Sequence, residues 1–220
     1  MDYSPPHHVR RILIVGAGGF GREVLQWARA AWADDAALVA GFLSQNADLL
    51  AGHDKSLPIF GDPATFAPEA GDALLLAIGI PGVRRRVAED LLARGAEFLS
   101  LIHPTAVVAP SAAIGAGSIS CPGAFFSDSA RLGRFGLVNY HASLAHDSSA
   151  GDFTVLSPYA TLAGGAHIAD DVFLGLHASI GPGVSVGPRS KVAANSCALV
   201  DIPADSLVLG VPGRTSPLLA

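Results

Sequence analysis

Along the chain, the spacing of apolar residues changes character once, near residue 103. Before that point, short apolar runs alternate with stretches of helical period. Arg11–Val15 (RILIV) is predicted as a strand. Gly21–Trp32 follows as a helix, because Val24, Leu25, Ala28 and Trp32 fall on one face. Strands are predicted at Leu38–Leu43 and Ala73–Ile78. A second helix is predicted at Val83–Gly95, with Val83, Val87, Leu91 and Leu92 at helical spacing and Gly95 as its stop. Glu97–Leu101 reads as a last strand. This alternation predicts a small parallel sheet, half of a doubly wound, Rossmann-like α/β fold.

Beyond residue 103 a period of six takes over. From Val108 to Ala198, sixteen positions spaced by six carry thirteen large apolar residues, where random placement would give roughly a third. The residue after each is small in fifteen of the sixteen hexads, with Leu199 the exception. The fourth residue after each, from Ala112 to Ser196, is always Gly, Ala, Ser, Thr or Val. Neither a heptad nor a 3.6-residue period produces this. The pattern predicts a parallel β-helix of hexapeptide repeats, in which one apolar side chain per hexad points inward and small residues sit where backbones crowd. Three hexads make one triangular coil, so residues 18 apart lie above one another. At the usual strand separation about five coils stack into a prism roughly 25 Å tall. The predicted division is a leader at 1–10 with no assigned role, an α/β domain at 11–103, and a β-helix with a C-terminal tail at 104–220.

Composition sharpens this picture. The 220 residues are 50% hydrophobic and only 15% charged, below the usual quarter. No apolar run approaches the ~18–20 residues of a membrane span, so no membrane partner is expected and the low charge is assigned to a thin, dry prism. All four glutamates precede residue 100, and only nine charged residues lie between Thr105 and Val200. A net charge of −5 and a short cluster, Arg84-Arg85-Arg86, without aromatic neighbours argue against nucleic acid. That cluster reads as one polar face of a helix. Met1–Arg11 lacks the apolar core of a signal peptide. Cys121 and Cys197 form neither a disulfide framework nor a zinc spacing, so a reducing cytoplasm is expected.

Candidate chemistry follows from the register. His146 stands two positions past the inward Leu144 and beside Asp147, and Gly164 lies one coil above it. A histidine next to a carboxylate, with a glycine amide about 5 Å away, suits acyl transfer. The imidazole removes a proton from an amine or hydroxyl, Asp147 orients the ring, and the Gly164 N–H stabilises the oxyanion. Asn139, seven residues earlier, is a candidate for positioning the acceptor. Spacing alone leaves open an ordinary surface histidine on a repeat corner. The loop Gly16-Ala17-Gly18-Gly19-Phe20-Gly21 fits G-x-G-x-x-G between a strand and a helix. The second strand, however, ends in Gly41-Phe42-Leu43-Ser44-Gln45-Asn46 without the acidic residue a dinucleotide ribose needs, so NAD is not expected.

The stretches Leu137-Val138-Asn139, Ala145-His146-Asp147, Gly151-Asp152-Phe153, Leu156-Ser157-Pro158 and Leu162-Ala163-Gly164 resemble bacterial hexapeptide-repeat acyltransferases. The pairing of Ala145-His146-Asp147 with Leu162-Ala163-Gly164 is also similar to the UDP-N-acetylglucosamine acyltransferase of lipid A synthesis. From Arg11-Ile12-Leu13-Ile14-Val15-Gly16 to Gly210-Val211-Pro212-Gly213-Arg214, the whole chain resembles the nucleotide-amino-sugar acetyltransferases of the PglD/NeuD group.

This resemblance implies a left-handed prism, with His146 as base, Asp147 as its supporter, Asn139 on the acceptor side and Gly164 as oxyanion donor. It implies acetyl-CoA as acyl donor, lying between adjacent subunits of a homotrimer. Leu176 and Ala194 then fall beside the pantetheine arm, Val155 at a further CoA-side position, and Arg214 near the CoA phosphates. Gly18, Gly19 and Phe20, with Gly79, Gly82 and Arg84, would hold the diphosphate of a nucleotide sugar, and Ser44 and Gln45 its base. Ser44-Gln45 stands where members with UDP-sugars often carry paired Asp. Phe20 and Val155 stand where the family has histidine, and Val211-Pro212-Gly213-Arg214 replaces the common Val-Pro-Ala-Lys/Arg. The spacing of His141 and His146 also occurs in zinc carbonic anhydrases of this prism fold, but Thr105 stands where those enzymes need a third histidine, so no metal is expected. The expected activity is N-acetylation of a nucleotide-linked amino sugar without a covalent acyl-enzyme. Sugar O-acetylation of the sialic-acid type uses the same groups and stays open, as does a non-catalytic prism that binds a nucleotide or a partner.

Overall fold

The computed structural model describes residues 3–50, 52–53 and 57–218, so residues 1–2 of the leader lie outside the described residues. The rest of the leader is tied down: Trp32 Nε1 donates to the Tyr3 carbonyl at 2.8 Å, and His8 meets Glu97 at 2.8 Å. β1 (Arg11–Val15), β2 (Val39–Leu43) and β4 (Asp72–Leu76) are almost continuously buried apolar runs, as a parallel sheet covered on both faces requires. With β3 (Ile59–Gly61) and β5 (Glu97–Phe98) they form, among the described residues, a five-stranded parallel sheet of order β3-β2-β1-β4-β5. α1 (Gly19–Ala31) buries Val24, Leu25 and Ala28. α2 (Pro81–Ala93) begins on a proline, whose missing N–H would have been unpaired there anyway. The strand order reverses between β1 and β4, where an open α/β sheet leaves a crevice. β3 was not expected from the sequence; at three residues it is too short for a period to register.

The strand expected at Glu97–Leu101 is two strands. β5 pairs with β4, whereas β6 (Leu101–Ile102) pairs with Ile119–Ser120 of the β-helix. The chain therefore crosses from one sheet to the other between Phe98 and Leu101.

The six-residue register holds throughout the helix: Phe126 pairs with both Val108 and Leu144, each 18 residues away. Among the described residues, fourteen of the sixteen inward positions are buried. Val108 and Ile114, in the first coil, are half-buried where the prism end opens. The fifteen small positions from Ala112 to Ser196 are all buried as well, which leaves no room for larger side chains. Between these two sites, every hexad from Gly117 to Asn195 places one residue in the left-handed region, at φ 54–72°. Ten of these fourteen residues are not glycine. They stand on the outside of the corner, so this strained position is where the prism displays histidine, tyrosine, phenylalanine, aspartate and arginine.

Three sheets make the three faces. The docked face runs from β6 through Ile119–Ser120, Leu137–Val138, Val155–Leu156 and Phe173–Leu174 to Ser206–Leu209, and is finished by antiparallel Arg214–Pro217. The small-residue face runs from Val107–Val108 to Cys197–Ala198, and the polar face from Ala113–Ile114 to Ser185–Val186. The three edges between them are named here after Tyr159, His146 and Phe153. On the docked face, outward Leu101, Ile119, Leu137 and Val155 share one buried cluster with Val24, Leu25 and Ala28 of α1. At the Phe153 edge, Phe135 stacks on Phe153 at 5.0 Å, and Phe98 meets Phe135 edge-on at 5.1 Å. Arg85 lies 4.3 Å over Phe153 and donates to both carboxylate oxygens of Asp171 at 2.9 Å. The α/β layer is thus held on the prism by apolar burial along a face and a charged clamp at an edge. No helix among the described residues is long and apolar enough to cross a membrane.

Candidate active site

His146 follows the strand Ser143–Leu144 and leans outward from the edge between the small-residue and polar faces. The left-handed turn at Asp147 (φ 59°) places its carboxylate beside the ring, with Oδ2 at 2.9 Å from Nδ1. A carboxylate only accepts, so in the neutral ring Nδ1 carries the hydrogen and Nε2 keeps its lone pair. One coil above, Gly164 lies directly against that nitrogen. A Cβ on Gly164 would stand 2.5 Å from Nε2 and 2.6 Å from Cε1. The glycine is therefore a space requirement of the histidine. The Gly164 carbonyl accepts from Gly183 N at 3.0 Å, while among the described residues its own N–H has no main-chain acceptor. An imidazole, a carboxylate and an amide without a main-chain acceptor thus converge on one exposed edge.

Asn139 is not part of that convergence within one chain. It sits at the Tyr159 edge, on the far side of the small-residue face, and its Oδ1 accepts from Tyr140 N at 2.7 Å. Leu176 and Ala194 lie on the same edge as Asn139 and are exposed. Val155 is elsewhere, 3% exposed beneath α1. Arg214 is exposed in the last strand, paired with Leu209. His103 at the junction is drawn below the usual histidine range by burial. Among the described residues, no group of three or more His, Cys, Asp or Glu is placed to hold a metal ion.

The expected acceptor residues divide among three surfaces. Ser44 and Gln45 line a crevice of about 400 Å³ at the C-terminal ends of β1, β2 and β4, with Gly16, Asn46, Arg86 and Asp90. Gly18 caps α1, where a Cβ would meet nothing within 4 Å, and Gly19, the first residue of α1, lines the same shallow surface as Phe20. Gly16 and Gly21 serve packing instead: a Cβ on Gly21 would lie 1.9 Å from the Gly16 carbonyl. Phe20 turns to Trp27, edge-on at 5.9 Å, on a shallow surface with Arg22 and His53. Gly79 has open space around it. Gly82 lines a separate cavity of about 620 Å³ between α2 and the docked face, with Arg85, Phe173 and Lys191.

The expectation for Arg84 requires correction. Its side chain is fully buried, donating from Nε to the Phe135 carbonyl at 2.6 Å and from Nη1 to Leu76 and Ile78 carbonyls at 2.6 and 2.9 Å. Burial pulls its pKa down to about 9, and Nη2 has no partner among the described residues. Arg84 ties the end of β4 to the prism and does not face a ligand. The three arginines do not share one face either. Successive helix residues point about 100° apart, so Arg84 goes inward, Arg85 clamps the Phe153 edge, and Arg86 lines the crevice. Arg86, like Asn46 and Asp90, is a crevice residue that sequence reasoning missed; for Arg86 the helical step was the available signal.

Residues 11–91 match the family model of the PglD N-terminal domain. The GDP-perosamine N-acetyltransferase of Escherichia coli O157:H7 is 34% identical over 142 residues. The chain is homologous to that acetyltransferase. The alignment covers 61% of this chain and spans 61% of that relative's length. Among solved structures, the acetyltransferase domain of PglB from Neisseria gonorrhoeae FA1090 superposes with a TM-score of 0.83 at 28% identity, over 94% of this chain and 100% of that one. The same domain has been solved in complex with acetyl coenzyme A. PerB from Caulobacter crescentus, in complex with CoA and GDP-perosamine, gives 0.82 at 28% identity over 94% and 97%. WeeI from Acinetobacter baumannii AYE gives 0.82 at 25% identity over 94% and 99%. The α/β layer and hexapeptide β-helix expected from the sequence are therefore the architecture of these relatives.

Proposed function

We propose that the protein transfers the acetyl group of acetyl-CoA to the amino group of a nucleotide-linked amino sugar, with residues 11–103 holding the acceptor and 104–220 the donor. The observation that carries this reading is the His146 edge: an imidazole with a free Nε2, oriented by Asp147 and seated against an unpaired Gly164 amide. The amine nitrogen attacks the thioester carbonyl, and the Gly164 N–H stabilises the oxyanion that develops. The C–N bond forms and the C–S bond breaks. The amine proton passes to Nε2 of His146 and from there to the departing thiolate. Cys121 is fully buried and its thiol is pushed up by that burial, so it does not carry the acetyl group.

His146 and Asn139 stand at opposite edges of one face, which supports a site shared between subunits of a homotrimer, with the base from one and the acceptor-side Asn139 from the next. The complexes of PerB with GDP-perosamine make GDP-linked amino sugars the first acceptors to test. Unpaired Cys121 and Cys197 agree with a reducing, cytoplasmic setting. The test is thiol release from acetyl-CoA against a panel of GDP- and UDP-linked amino sugars and free sugars. Turnover is expected with a nucleotide-linked amine and to fall about 100-fold or more in His146→Ala, the usual loss on removing a general base. Turnover of the variant near the wild-type rate would overturn the assignment of His146.

A further inference from the structure

The three prism faces differ in what they present. Among the described residues, the coils carry six exposed large apolar side chains: Val107, Phe125, Tyr159, Leu176, Leu199 and Val200. All six lie on the small-residue face or on its two bounding edges. That face carries no charge, and the cations of the coils, Arg131, Arg134, Arg189 and Lys191, all stand elsewhere. The edges differ from each other. The Tyr159 edge bears imidazole and phenol groups and no carboxylate, whereas the His146 edge bears Asp128, Asp147 and Asp201 and no Lys or Arg. A surface whose two ends are complementary joins copies head to tail, and the copies close into a ring where the rotation between them allows it.

The Tyr159 edge carries an exposed column of rings at three successive left-handed corners, His141, Tyr159 and His177 (φ 57°, 62° and 55°). Tyr159 stacks on His141 at 5.1 Å and 21°, and on His177 at 4.8 Å and 4°. Tyr140 braces the column edge-on, 6.4 Å from His141 and 6.2 Å from Tyr159. Gly123 leaves room for the first ring, since a Cβ there would lie 2.6 Å from His141 Nδ1. The His146 edge is the reverse in shape. Above His146, the residues Gly164, Gly165 and Gly183 leave two coils nearly bare, and a Cβ on Gly183 would meet nothing within 4 Å. In one chain this bare strip is a groove with a single wall.

We infer that the ring column His141–Tyr159–His177 of one subunit is the far wall of the groove above His146 of the next, and that it lines the pantetheine arm of acetyl-CoA there. The inference rests on the acetyltransferase reading above. The rings repeat every 4.8–5.1 Å. Pantetheine holds a single β-alanine unit, one methylene longer than an ordinary peptide unit and about 5 Å long when extended, so that unit and the cysteamine after it meet successive rings. The column is a positioning element: it holds the donor and takes no part in proton transfer.

The test uses Tyr159→Asn, because asparagine accepts a left-handed φ and the corner keeps its backbone. Acetyl-CoA affinity by calorimetry is expected to fall about tenfold, as loss of one aromatic contact does. The KM for acetyl-CoA should rise equally, with kcat within about twofold and the acceptor KM unchanged, and Tyr159→Phe should restore binding. Unchanged affinity in Tyr159→Asn overturns the proposal. Subunit mixing then tests the placement across the interface. After His146→Ala and Tyr159→Asn subunits are co-refolded, about a quarter of interfaces join an intact His146 to an intact column. Activity below the acetyl-CoA KM should rise about fivefold over the unmixed pair. No gain on mixing means the column acts within its own chain, which also overturns the proposal. A wild-type protein that binds acetyl-CoA but acetylates nothing fails the acetyltransferase reading alone, and calorimetry still judges the column. A wild-type protein that does not bind acetyl-CoA overturns both.

Discussion

Gly164→Ala separates the placement of the base from every other property of the site. The added methyl carbon would sit 2.5 Å from Nε2 of His146, 2.6 Å from Cε1 and 3.3 Å from Cδ2. Carbon and nitrogen in contact keep about 3.5 Å apart, so the ring must retreat by about 1 Å. The ring is 67% exposed and free to do so, but retreat breaks the 2.9 Å bond between Nδ1 and Asp147. A 1 Å displacement of a catalytic group costs about 100-fold in rate. The Gly164 N–H proposed to stabilise the oxyanion is untouched, because alanine keeps its N–H. Stability should hardly change, since Gly164 is not in the left-handed region. Gly165→Ala is the contrasting control. Gly165 has φ +66° and its nearest neighbour atoms lie 3.9 Å away, so the substitution strains the backbone by about 1 kcal/mol while leaving His146 alone. Steady-state thiol release and thermal melts on both variants measure the two effects. A Gly164→Ala enzyme with kcat within threefold of wild type, or a Gly165→Ala enzyme that loses more rate than stability, would refute the placement of Nε2 against Gly164 as the reacting geometry.

Asp147→Asn keeps the left-handed corner but removes the charge that selects the Nδ1–H tautomer, and should lower kcat about tenfold without changing the melting temperature. Asp72 is held below the usual carboxylate range, chiefly by hydrogen bonds from Arg11 at 2.6 and 2.7 Å. Its folded pKa is depressed, so its contribution is present at neutral pH and lost as pH falls below about 4; Asp72→Asn should flatten the acid limb of a stability–pH curve, and an unchanged limb would contradict the pairing. Cys121 is fully buried and Cys197 half-buried. Mass spectrometry after brief alkylation should therefore find at most one label on the native protein and two after unfolding.

The β-helix was legible because its code is local and repeated. One apolar residue in six sets the inward row, and the small residues from Ala112 to Ser196 are the ones that structure buries. The pairing of His146 with Gly164 followed from register alone, since 18 residues make one coil. Ser44 and Gln45 do line a crevice, but their place as base-side residues came from the family resemblance and not from the strand–helix alternation. Less legible was how the two parts meet. The outward residues Ile119, Leu137 and Val155 are apolar on every third strand, a period of 18 that marks a covered face, and the sequence reading took no account of it. That burial takes Val155 away from the edge that carries Leu176 and Ala194.

By itself, the sequence determined the repeat, the position of the glycine loop and the neighbours of His146, because each depends on spacing along a regular path; it gave about five coils, fewer than the seven parallel strands stacked on the docked face, because the strands at Leu101–Ile102 and Ser206–Leu209 lie outside the six-residue pattern. Tertiary structure alone decided which corner residues stand free, which face is covered, and the separate fates of Arg84, Arg85 and Arg86. A guanidinium binds a carbonyl, a carboxylate or a phosphate with the same donors. Which of these it meets is settled by contacts far apart in the chain, such as Arg84 with Phe135 and Arg85 with Asp171, that no local period encodes.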